Sequence, residues 1–311
     1  MRAGGGSNRE DGVGDWVRLC QSPGMRLHNP GAECFVPDGA EIGDALARVT
    51  HLGIGAHHDD LEFMAFHGIV ACLGHPGGRW FAGVTCTDGS GSARTGSYAD
   101  CPDDSLRIVR RGEQRAAAVR GGYSVVVQLD YPSDSVKQPG APGLVGELSA
   151  LLRAAQPEVV YLHNLADKHD THIAVAVATL AAIRGLPAQE RPRRLLGCEV
   201  WRGLDWMDDA EKVALDVSGH ASLSSELNAC FDSQISGGKR YDRAVAGRRA
   251  ANATFFDPRT TDAAADLIFA MDLTPLALDP GLDPVEFTLG FVDRFRRDVR
   301  DRLRTHFDSA A

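Results

Sequence analysis

Residues 51–63 read His-Leu-Gly-Ile-Gly-Ala-His-His-Asp-Asp-Leu-Glu-Phe, an apolar run that ends abruptly in two histidines and two aspartates. The run His51 to His57 predicts a buried strand, and Phe63, Phe66, Ile69, Val70 and Leu73 fall at helical spacing over 62–73. Working outward, a short helix is expected over 40–49. Strands follow at 80–87, 125–131 and 158–163, interleaved with helices at 105–120, 144–155 and 171–184. Strands that alternate with helices at this spacing predict the α/β class, a Rossmann-like three-layer α/β/α arrangement with a mostly parallel sheet. Strand candidates at 195–201, 213–217 and 267–273 and a long final helix at 285–307 form a C-terminal elaboration from about residue 194. Residues 1–40, with Gly4-Gly5-Gly6 and little periodicity, read as a loose tail and an irregular approach segment, leaving 41–311 as a single domain.

Composition narrows the classes. With 311 residues, 43% of them hydrophobic, the chain can bury a large core, which excludes disordered and small disulfide-scaffold proteins. Forty-two acidic against 33 basic side chains give a net charge of -9, the wrong sign for a protein that coats nucleic acid. No apolar run reaches the roughly 18 to 20 residues that span a bilayer, and Met1 to Gly14 lacks the apolar core of a signal peptide. The expectation is a soluble cytoplasmic protein with no membrane or nucleic-acid partner. Seven scattered cysteines, with no CxxC pair, fit reduced thiols in that compartment. Lysine occurs only at positions 137, 168, 212 and 239.

Two clusters carry the chemistry. The first is Ala56-His57-His58-Asp59-Asp60-Leu61-Glu62, at the end of the first central strand. The second is His163-Asn164-Leu165-Ala166-Asp167-Lys168-His169-Asp170-Thr171-His172, at the end of the fourth. Imidazoles and carboxylates so closely spaced would repel one another or lie unsatisfied in a core, and a divalent cation is the economical answer. The plainer reading is a pair of solvated helix caps. Ligands of such sheets bind at strand carboxyl ends, beside a switch point, so two clusters on the same side reinforce each other.

His57-His58-Asp59-Asp60 resembles the (A)HPDD motif of the PIG-L/LmbE-like N-acetylglucosaminyl deacetylases, and His169-Asp170-Thr171-His172 resembles their later HPDH motif. Thr85 to Gly91 looks like the family's glycine-rich loop, Arg110 with Glu113 like its Arg-x-x-Glu helix, and Ser233-Gln234 like its C-terminal pair. The resemblance spans roughly residues 50–240. It implies a zinc-dependent hydrolase, with one zinc ion per chain, that removes an N-acetyl group from a small amino sugar or glycoside. By position, His57, Asp60 and His172 become the metal ligands and Asp59 the general base for attack by metal-bound water. His169, in protonated form, would stabilise the oxyanion.

This chain departs from the pattern where His58 replaces a proline and where Asp170-Thr171 replaces Pro-Asp, so the aspartate that would orient His169 is missing. Asp170 or Asp167 is the expected substitute. Arg94, Asp88, Asp170 and Gln234 are candidate substrate contacts, and Trp201 and Trp206 either stack on a sugar or simply pack. Alternatives of the same mechanism are a zinc amidase for a larger acyl group or a conjugated natural product, and a metal-binding member without catalysis. His58-x-Asp60 with a distant histidine also has the spacing of an iron oxygenase site, but those ligands usually sit on an antiparallel barrel. The resemblance leaves a homo-oligomer open, and nothing in the sequence fixes a subunit count.

Overall fold

The computed structural model describes residues 21, 22 and 25–307. The tail expected over the first twenty residues, and Cys20 with it, lies outside them; Cys72, Cys86, Cys101, Cys198 and Cys230 are free thiols. A two-stranded ribbon, β1 (Gln21–Ser22) and β2 (Met25–Arg26), precedes β3 (Glu33–Phe35) and α1 (Ile42–Ala47). Then come β4 (His51–Gly55), α2 (Asp60–Met64), α3 (Phe66–Cys72), β5 (Phe81–Thr87), α4 (Asp103–Arg120), β6 (Val125–Tyr131), α5 (Ser133–Val136) and α6 (Pro142–Ala155). The second half holds β7 (Val159–His163), α7 (Asp170–Arg184), β8 (Arg194–Cys198), β9 (Lys212–Asp216), α8 (Ala221–Asn228), α9 (Asp232–Ile235), α10 (Tyr241–Thr254), β10 (Leu267–Asp272), α11 (Thr274–Leu278) and α12 (Pro284–Phe307).

Eight strands form one sheet in the order β3-β6-β5-β4-β7-β8-β10-β9. The five strands from β6 to β8 are parallel. Both margins are antiparallel: β3 against β6, and β10 against β8 and β9. The sheet is thus the expected mostly parallel α/β sheet, and strands 194–198, 212–216 and 267–272 complete it. Side chains alternate across the strands into two buried clusters, one per face. Val125, Val127 and Leu129 join the cluster that includes α1, α6, α7 and α11, whereas Val126 joins that of α2, α3 and α4. Among the described residues, no helix is long and apolar enough to cross a membrane.

The approach segment is anchored rather than loose. Glu147 Oε1 accepts the backbone N–H groups of His28 (2.7 Å) and Asn29 (2.8 Å), and Arg115 Nε donates to Glu33 at 2.5 Å. A three-residue strand is too short to show periodicity, and its anchors lie far away in sequence.

β4 sits beside both β5 and β7, so the sheet is wound outward in both directions from it. This is the switch point at which the two clusters meet. Gly55 eases the approach there: a Cβ on it would stand 3.0 Å from the Asp60 Cβ, so glycine lets the start of α2 close down on the strand end.

Candidate active site

The strand expected to reach His57 stops at Gly55, and residues 56–59 form a tight loop into α2. Asp59 has φ 85°, a left-handed conformation that costs an L-residue of order 1 kcal/mol and needs external support. α4 supplies it. Arg110, 2% exposed, donates to the His58 carbonyl at 2.6 Å and pairs with Asp59 Oδ2 at 3.1 Å. Gln114 accepts the Asp59 N–H at 3.3 Å and donates to Glu62 at 2.8 Å. Burial pushes the Asp59 carboxyl well above its ordinary value; Arg110 opposes this, and the neighbouring Asp60 and Glu62 add to it.

His58 points away from the cavity, its Nε2 2.9 Å from Gln128 Oε1. His57 turns toward α7. Its Nδ1 lies 3.2 Å from His172 Nε2 and 3.3 Å from Asp60 Oδ2, and His172 Nε2 is 3.4 Å from the same oxygen. Donors bound tetrahedrally to zinc at 2.0–2.1 Å lie about 3.3 Å apart, so this triangle has the edges of such a site. Burial lowers His172 to about 4, leaving it neutral and able to offer a lone pair.

His163 also approaches Asp60, at 3.3 Å, and Asp60, His163 and His172 form a second compact donor group. The Ala56 N–H, however, donates to His163 Nε2 at 2.9 Å, which occupies the lone pair a metal would need. Residues 56–59 are thereby tied to β7.

Asp167 takes over an orienting role, although not the one expected. Its wholly buried carboxylate accepts from His172 Nδ1 at 3.0 Å and from the backbone N–H groups of Lys168 (2.6 Å) and Arg202 (2.9 Å). The proton is fixed on His172 Nδ1, so Nε2 faces Asp60 with its lone pair free. His169 is served by neither aspartate. Its ring stacks 4.6 Å from His172, its buried Nδ1 has no partner among the described residues, and burial, with His57 nearby, lowers its pKa. A lowered pKa works against the protonated form that the resemblance gives His169.

A cavity of about 720 Å³ opens above these groups; His57, Asp59, Asp60, His169 and Gln234 line it. The structure does not bring the other three candidate contacts to that wall. Arg94 pairs with Asp103 and donates to the Ser90 carbonyl at 2.9 Å; Asp88 accepts the Ser90 N–H at 3.0 Å; Asp170 is exposed on the first turn of α7. These are loop ties made by short-range partners. Trp201 lines the cavity, whereas Trp206 packs against Phe295. Glu113 accepts the Ser233 N–H and hydroxyl, each at 2.7 Å, so the Arg-x-x-Glu helix staples both the Asp59 loop and the segment bearing Gln234. Gln114 and Glu199 also shape the site, and no spacing in the sequence marks either.

Residues 52–183 match the family described as PIG-L, GlcNAc-PI de-N-acetylase. Among solved structures, a conserved protein from Thermus thermophilus has TM-score 0.54 at 18% identity, covering 71% of this chain and 93% of that one. A 4-carboxy-2-hydroxymuconate hydratase from Pseudomonas putida has TM-score 0.53 at 18% identity, covering 72% and 95%. An N,N'-diacetylchitobiose deacetylase from Pyrococcus horikoshii has TM-score 0.54 at 16% identity, covering 71% and 83%. Identities this low establish the fold alone, and these neighbours carry different chemistries on it. No curated protein sequence matches the chain.

Proposed function

Residues 52–183 form a PIG-L family domain, and from that premise we propose that the chain is a zinc-dependent N-deacetylase of a small amino sugar or glycoside. His57, Asp60 and His172 would hold the ion, and the observation that carries the reading is their triangle, with edges of 3.2, 3.3 and 3.4 Å. A zinc ion with three protein ligands supplies Lewis acidity and brings the pKa of its water to about 7.

The chain's own part is to hold the substrate and move one proton. Asp59 stands next to the donor triangle but outside it, with Arg110 fixing one carboxylate oxygen. It takes the proton of water as the water oxygen bonds to the amide carbon, then passes that proton to the nitrogen as the C–N bond breaks. His169 donates a ring N–H toward the carbonyl oxygen as negative charge develops there. The products are acetate and a free amine.

The cavity, about 720 Å³, lies in the range of sites for drug-sized ligands, which favours a conjugated substrate over a bare monosaccharide. The test is acetate and amine release from a panel of N-acetylated sugars and glycosides by zinc-loaded protein. Equal yields of acetate and amine, abolished by Asp59→Asn with zinc retained, are expected. Hydration of an unsaturated acid instead, with no acetate, would assign the site to the other chemistry found on this fold.

A further inference from the structure

Helix α12 carries two apolar faces, where a helix lying on a domain needs one. Phe287 and Phe291 pack on the core and Arg294 Nε reaches Glu211 at 2.7 Å, which fixes the first half of the helix to the body. Every residue from 295 to 307 is exposed, so past the contact of Phe295 with Trp206 no side of the helix is buried. The second apolar face runs along both halves. Val285, Leu289, Val292, Val299 and Leu303 are each 40% to 62% exposed. They follow one another at steps of four, three, seven and four residues, the a and d positions of a heptad, with Arg296 at the a position between. An isolated helix shorter than about 12–15 residues is marginal in water, and a heptad stripe on one is the seam that a partner helix fills.

We propose that α12 pairs with α12 of a second copy of this chain, as an antiparallel two-helix coiled coil about a two-fold axis. The proposal stands independently of the chemistry at the cavity. Charge identifies the partner as the same helix, reversed. Residues 283–293 carry Asp283, Glu286 and Asp293 and no Lys or Arg, whereas 295–307 carry five arginines and two aspartates. The helix macrodipole favours such segregation over the first and last turn only. Here it extends over both halves, so two copies laid head to tail attract along their length, and two laid in parallel set arginine against arginine.

In the antiparallel register that matches a and d layers, Val285 meets Leu303 of the second copy, Leu289 meets Val299, and Glu286 lies opposite Arg300. The carboxylate nearest Arg300 within its own chain is that of Asp301, at 3.6 Å. Arg296 faces Val292 of the second copy with Asp293 beside it, whereas in a parallel pair it would face Arg296. Each exposed half then lies along the anchored half of the other helix, and the two-fold axis repeats every contact.

Sedimentation equilibrium of the full-length protein tests this, and a dimer with a Kd of about 10 μM or tighter is expected. Val299→Asp and Leu303→Asp, both on the exposed half, should keep the wild-type circular dichroism. Each should weaken association about 100-fold or more, because it places an unpaired charge in the seam twice. Glu286→Arg should weaken association about fivefold or more, and Arg300→Glu added to the same chain should restore it, since both symmetry-related pairs are then reversed. A chain that stays monomeric at about 100 μM would overturn the proposal and leave the stripe to another occupant, residues 1–20 or a lipid surface. A dimer that survives both aspartate variants, or one that Arg300→Glu does not restore, would overturn the antiparallel pairing of α12.

Discussion

Asp167→Asn is a sharp test of how the candidate metal centre is built. The Asp167 carboxylate is wholly buried, and its hydrogen-bond partners all donate: His172 Nδ1 at 3.0 Å and the N–H groups of Lys168 (2.6 Å), Arg202 (2.9 Å) and Trp201 (3.4 Å). An asparagine amide must therefore turn its NH2 toward one of these donors. Peptide N–H groups cannot yield, but His172 can, by moving its proton from Nδ1 to Nε2. That move consumes the lone pair aimed at Asp60. A hydrogen bond to a charged group contributes about 1.5–3 kcal/mol, so zinc affinity should fall roughly 10- to 150-fold, within the usual range for groups that orient a ligand. Competition against a chromophoric chelator near neutral pH measures it, with circular dichroism to verify folding. Asp170→Asn, at an exposed residue off the cavity wall, should bind zinc like the wild type. An Asp167→Asn protein with wild-type zinc affinity would refute the tautomer argument.

Three further outcomes are expected. Asp59→Asn should lower acetate release by about 10²- to 10⁴-fold while zinc content is unchanged, since the group moves a proton and holds no metal. Arg110→Met should destabilise the fold by about 3–5 kcal/mol in urea, because it strands the Asp59 carboxylate in a buried position. His51 is buried against Tyr161, and burial lowers its pKa from 6.5 to about 4. The unfolded chain therefore binds the extra proton, and the stability His51 contributes is full above pH 6.5 and lost as pH falls toward 4. His51→Leu should remove about 3 kcal/mol of that acid sensitivity, read as a shallower dependence of the urea midpoint on pH. An unchanged slope would contradict the buried, neutral histidine.

The parallel centre of the sheet was legible because its buried strands are largely apolar runs and helices such as α4 and α6 repeat an apolar face over fourteen or more residues. The antiparallel margin of β10 and β9 was legible too, as strands at 267–273 and 213–217, but the opposite margin was not. β3 has three residues, and its partners are fixed by side chains such as Glu33 and Arg115 whose contact depends on the completed fold. The two histidine–aspartate clusters announced themselves because no core or cap tolerates that density of polar groups. What each member does could not be read from spacing. His57 and His58 are adjacent, yet opposite sides of one loop send the first toward His172 and the second toward Gln128. Asp170 lies inside the motif and Asp167 two residues before it, but only Asp167 lies where the backbone of residues 201 and 202 returns to meet it. Arg94 and Asp88 lie off the cavity wall because each finds a partner close by in sequence, Arg94 in Ser90 and Asp103 and Asp88 in Ser90.

The most direct measurement is metal content by elemental analysis of purified wild-type and His172→Ala protein, with acetate release from N-acetylated sugars followed in the same samples. The account predicts about one zinc per wild-type chain, and loss of both zinc and acetate release in the variant. A folded wild type that stays metal-free and inert when zinc is supplied, or a His172→Ala protein that keeps its zinc and its activity, would contradict it.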